Sequence, residues 1–112
     1  MSIRWLLAAA VGAWAAFAPA PSQLKQFQSD GVTEILPGGT VTGTSVKLQA
    51  KLGNGSTTGQ QKLRVEVKPV AQPFTNTITA ESAVEPDGTV VTLDVPSLAP
   101  GDYKWQAWAW CT

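Results

Sequence analysis

The chain has 112 residues, of which 44% are hydrophobic and 14% charged, with eight basic side chains balanced by eight acidic ones. This length gives one domain with a single core, and the hydrophobic share fits a globular chain rather than a disordered one. Zero net charge leaves no field toward nucleic acid, and the lack of histidine removes the usual general base and the commonest metal ligand.

The N-terminus reads as a targeting element. Met1-Ser2-Ile3-Arg4 is a short positive start, and Trp5 to Ala18 is an uncharged apolar run. Such a run matches a signal-peptide core and falls short of the roughly 20 residues a spanning helix needs. Small residues follow in Ala18-Pro19-Ala20-Pro21-Ser22. Residues 1–22 are therefore expected to be a signal-peptide helix, cleaved after Ser22 or, alternatively, after Ala20. An uncleaved anchor is the other reading. With the leader removed, the protein is secreted or held at the cell surface, without stable membrane insertion.

From there the pattern is that of strands. Gln23 to Gly31 is polar and reads as a linker or a ragged edge strand. Val32 to Leu36 is rich in β-prone residues and predicts a first strand, with Thr33 and Ile35 on one face and Val32, Glu34 and Leu36 on the other. Which of these faces is buried stays open. Pro37-Gly38-Gly39 makes a turn. Ser45 to Lys51 alternates, with Val46, Leu48 and Ala50 pointing one way, and predicts a half-buried strand. Leu52 to Gln61 is a loop by composition.

Lys62 to Lys68 alternates again with Leu63, Val65 and Val67 inward, until Pro69 and Pro73 end it. Phe74 to Val84 predicts one or two short edge strands. After the Pro86-Asp87-Gly88 turn, Thr89 to Val95 places Val91, Leu93 and Val95 inward. The last strand, Tyr103 to Cys111, carries Tyr103, Trp105, Ala107, Ala109 and Cys111 on one face. Six or so short strands with no helical periodicity after Ala18 predict an all-β Greek-key β-sandwich over residues 32–112.

Leu98-Ala99-Pro100-Gly101-Asp102-Tyr103 resembles the tyrosine corner of immunoglobulin-like and fibronectin type III sandwiches, with Leu98, Pro100, Gly101 and Tyr103 as its signature. Ser29-Asp30-Gly31, Gly38-Gly39-Thr40, Lys62 to Val67 and Tyr103 to Ala109 look like a fibronectin type III-like module of large exported bacterial proteins. The resemblance covers residues 29–109. It implies a spacer or binding module, often one of several, with no active site of its own.

Two departures stand out. The loop Gly53 to Gly59 lacks the carboxylates with which such modules often hold calcium. The family also continues past strand F into a strand G, and here the given sequence stops at Thr112. The expectation is a sandwich lacking its last strand, either a piece of a longer multi-module protein or an assembly subunit completed by a partner's strand. Pro21 to Asp30 has only Leu24 and Phe27 as large apolar residues and does not read as a self-complementing donor.

No catalytic constellation is present, so neither an enzyme nor a cofactor is expected. Glu66 with Glu81, or Asp94 with Asp102, could be imagined as a glycosidase pair but read as solvated strand and loop carboxylates. Gly53-Asn54-Gly55 and Pro86-Asp87-Gly88 are turns, not phosphate cradles. Asn54-Gly55-Ser56 fits a glycosylation sequon that a bacterial-type module leaves unmodified. Trp108 and Trp110 fall on the outer face and are the candidates for contact with carbohydrate, a neighbouring domain or a partner chain. Cys111 is either an inert thiol or half of an intermolecular disulfide.

Overall fold

The structure is a computed structural model that describes residues 3–10, 20–53 and 60–111. Among them are nine strands and no helix: β1 (Ile3–Ala10), β2 (Ser22–Gln28), β3 (Gly39–Val41), β4 (Val46–Lys51), β5 (Gln60–Pro69), β6 (Ala80–Glu81), β7 (Glu85–Pro86), β8 (Val90–Val95) and β9 (Gly101–Cys111). They form two sheets packed into a sandwich, as the strand pattern predicts. One sheet runs β3-β1-β9-β5-β6, with β7 also on β5, and the other runs β2-β4-β8.

The alternating stretches become the inner strands because side chains in an extended chain point to opposite faces in turn. Val46, Leu48 and Ala50 of β4 are buried, as are Val91, Leu93 and Val95 of β8, the antiparallel partner that sets Leu48 against Leu93. From the other sheet, Leu63 and Val65 of β5 meet Trp105, Ala107 and Ala109 of β9, with Val65 opposite Ala107. These residues, with Ile35, Val41 and Leu52, form one core between the sheets. The predicted edge segment after Pro73 supplies β6, which pairs Ala80 and Glu81 with Val65 and Arg64.

Two expectations need correction. Val32 to Leu36 is not a strand. The Asp30 carboxylate accepts the backbone amides of Val32 and Thr33 at 2.8 and 2.9 Å and the Thr33 hydroxyl at 2.7 Å, so the chain bends there. Only Ile35 enters the core, at 3% exposed, while Val32 and Leu36 stand 80% and 68% exposed. Of the two readings of Gln23 to Gly31, the ragged edge strand is the one that forms: β2 borders the three-stranded sheet, with a break in register between Ser22 and Lys25.

The second correction concerns the N-terminus. The expected signal-peptide helix does not form over residues 3–10, which are extended as β1; residues 11–19 lie outside the described ones. β1 pairs parallel with β9, from Ile3 opposite Gly101 to Ala10 opposite Ala107, and antiparallel with β3. The edge of β9 away from β5, expected to lack a neighbour, is thereby paired. The physical reason is the open edge itself: a row of unpaired backbone groups offers an extended uncharged segment as many hydrogen bonds as a helix would.

Candidate functional site

The best-defined local geometry is the entry into β9. Val95 ends β8, Ser97 takes a positive φ of 61°, and the Leu98 amide donates to the Thr44 carbonyl at 2.8 Å. Leu98 then packs against the core. Gly101 has φ +152°, a conformation that side-chain-bearing residues rarely adopt, which accounts for glycine at this position. Two residues on, the Tyr103 hydroxyl donates to the Ala99 carbonyl at 2.7 Å, bridging back over the turn. This bond ties the start of β9 to the backbone of the turn before it. Tyr103→Phe keeps the ring and removes the bond, so it is expected to lower stability by about 1 kcal/mol in urea unfolding; an unchanged midpoint would show the bond to be idle.

Compared with models of protein families, with curated proteins and with solved structures, the chain matches none. The site must therefore be read from its own residues.

The outer face of the β5–β9 pair is the polar and aromatic surface of the molecule. The register sets Lys62 opposite Trp110, Arg64 opposite Trp108, Glu66 opposite Gln106 and Lys68 opposite Lys104. The Arg64 guanidinium lies over the Trp110 ring, 4.5 Å from its centroid, and its Nε donates to Glu81 Oε2 at 2.5 Å. Lys62 Nζ is 3.5 Å from the other oxygen of Glu81. The hydrogen bond from Arg64, and the charges of Arg64 and Lys62 beyond it, hold the Glu81 carboxyl below its ordinary range against a smaller opposing effect of burial. Farther along the face, the Lys104 ammonium stands 4.7 Å from the centroid of Phe74.

The two candidate tryptophans part company here. Trp110, near the end of β9, is 37% exposed and offers one ring edge beside a cation. Trp108 is only 3% exposed, so its expected role as an exposed platform is corrected. It sits mid-strand, with Arg64 across the ladder and Gln106 and Trp110 as its same-face neighbours along β9, and long side chains on every side enclose a wide indole. Cys111 stands opposite Gln61 at the end of the ladder.

One more expectation fails on this face. Glu66 is not a solvated carboxylate but fully buried. The segment after β5 folds back so that the amides of Thr75 and Asn76 donate to it at 2.8 and 2.9 Å, and Gln106 Nε2 donates at 2.9 Å. On the inner side, Gln26 of β2 is also buried and accepts a 2.9 Å hydrogen bond from Trp105 Nε1, linking the two sheets. Sequence reasoning missed both links. Their partners are 40 and 79 residues apart, and only register and sheet packing bring them together.

The imagined carboxylate pairs are occupied otherwise. Glu66 and Glu81 hold the partners just described, and Asp94 pairs with Lys47 across the β4–β8 ladder. Among the described residues no group of three or more acidic or thiol side chains is placed to hold a metal ion, and the surface shows no pocket. The Asn54-Gly55-Ser56 sequon and the rest of the loop to Gly59 lie outside the described residues.

Proposed function

We propose that the chain is a non-catalytic, exported β-sandwich module of the fibronectin type III-like or immunoglobulin-like kind, serving as a spacer or weak binding unit at the cell surface. The observation that carries this reading is the Tyr103 hydroxyl bonded to the Ala99 carbonyl at the turn into a central strand of a two-sheet sandwich. The positive start and apolar run of residues 1–22 support export. Binding, on this reading, uses the rim around Trp110 and Arg64, where an aromatic ring and a guanidinium are presented together.

The test has two arms. Residues 1–22 fused to a reporter that matures only outside the cytoplasm should yield active reporter, and the purified chain should turn over neither glycans nor esters. Sustained hydrolysis abolished by one carboxylate-to-amide change would end the non-catalytic reading. Trp110→Ala is expected to change stability by less than about 1 kcal/mol, because the ring is partly exposed, while abolishing retention on a glycan array or partner column. Retention that survives the change would place binding elsewhere.

A second reading, an assembly subunit completed by a partner's strand, is favoured by one feature. On the side of β9 away from β5, the neighbouring strand is parallel and distant in sequence: β1, from the far N-terminus.

A further inference from the structure

β1 is not an ordinary edge strand. It lies between β3 and β9, parallel to β9 and antiparallel to β3, and among the described residues it is what joins them in the sheet. Yet it is drawn from the segment that reads as a removable leader. If residues 1–22 are cut away, two strand edges open at once, and the space between them is one strand wide.

We propose that Ile3–Ala10 holds this slot in cis, and that after leader removal a strand from a different protein chain takes it over in the same polarity. This rests on the export reading and on the assembly-subunit alternative, and it specifies the partner. The incoming segment runs parallel to β9 along its length and pairs with β3 as well over its first three positions. Its chemistry follows from the register. Ala8 and Ala10 stand opposite Trp105 and Ala107, both fully buried, so small residues are required at those two positions. Trp5 stands opposite the half-buried Tyr103, where a large apolar residue fits. Arg4 stands opposite the exposed Asp102, so a basic residue suits the mouth of the slot.

A second mature copy does not meet this description. Its β2, β4 and β8 form one sheet and its β5, β6, β7 and β9 are joined in the other; among the described strands only β3 is freed by the cut, and its three residues are too few to fill a slot that eight residues occupy. The donor is therefore a partner with an extended, largely uncharged segment of about eight residues, bound by backbone hydrogen bonds with side-chain positions setting specificity.

The test begins with the full chain carrying Ala10→Cys, Ala107→Cys and Cys111→Ser. Oxidation should give an intramolecular disulfide, since residues 10 and 107 are register partners; failure to cross-link, with amides of β9 exchanging freely in the unmodified chain, would overturn the cis occupancy. Next, a protease site placed within residues 11–19 of the full chain is cut after folding. A labelled peptide of sequence 2–11 is then added, alongside one with Ala8→Asp and Ala10→Asp.

The cut chain should take up the first peptide at one per chain, and the uncut chain should take up at least about tenfold less. The aspartate peptide should bind on the order of 100-fold more weakly, because its charges would face a buried position. A cut and washed chain whose β9 amides stay as protected as before, or equal uptake of both peptides, would refute the slot. Failure of the export reporter would count against the leader reading alone and leave the peptide result standing.

Discussion

Trp105→Ala is expected to lower stability by about 3–5 kcal/mol, measured by urea unfolding with an unchanged slope. Trp105 is fully buried at the centre of β9, packed with Val65, Ala107 and Leu48 in a core that both sheets share. Truncation removes the largest side chain of that core and leaves a cavity that flanking strands cannot close without losing register. It also strands the buried Gln26 Oε1, whose hydrogen bond comes from the indole. Since small domains are stable by only about 5–15 kcal/mol, the variant should lose a large share of its stability. Trp105→Phe separates the two contributions: it keeps most of the volume and loses the bond, costing about 1–3 kcal/mol. An alanine variant within about 1 kcal/mol of the parent would mean that the sheets are not held together at this point.

The second large effect is expected at Glu66. Its carboxylate accepts the Thr75 and Asn76 amides, the Thr75 hydroxyl at 3.2 Å and the Gln106 amide, with Lys68 Nζ 3.8 Å away. Asn76 is held at a positive φ of 65°, so the carboxylate also fixes an unusual backbone turn. Glu66→Ala is expected to cost about 2–4 kcal/mol, because several donors lose a charged acceptor at once.

Glu66 also sets a pH dependence. Burial pushes its carboxyl up, but the hydrogen bonds from Thr75, Gln106 and Asn76 outweigh burial and leave it below the ordinary 4.5. A carboxyl whose folded value is lowered stabilises the fold fully above the unfolded value, and that contribution disappears as pH falls through the lower folded one. Stability should therefore drop below about pH 4.5. Glu81 and Asp30 are lowered too, so Glu66→Gln should flatten the acid slope without abolishing it. An unaltered slope in the glutamine variant would assign the acid sensitivity to those other carboxyls.

The strands were legible wherever a chain segment has one wet and one dry face. Val46 to Lys51, Lys62 to Lys68 and Val90 to Val95 alternate because each lies in a sheet whose inner face packs on the other, and period-2 alternation is the direct record of that. The corner at Tyr103 was legible because a turn, a glycine and a tyrosine at fixed short spacing make a local structure. Val32 to Leu36 misled because β-propensity scores side chains one at a time, while the Asp30 carboxylate competes for the backbone amides that a ladder would use. The outer tryptophans were assigned to the right face, yet alternation says nothing about what crowds that face, and Trp108 is buried there.

Composition and local pattern thus determined by themselves that this is a two-sheet β fold with Leu48, Val65, Leu93 and Trp105 at its centre and a tyrosine-closed turn into its last strand. Only the tertiary structure decided that Glu66 meets Gln106, that Gln26 meets Trp105, and that an apolar N-terminal run pairs with β9 as a strand. The reason is physical. Which face a residue occupies follows from the dihedral geometry of its own segment, whereas its partner across a sheet or between sheets depends on register and strand order. Those are selected by the whole core at once.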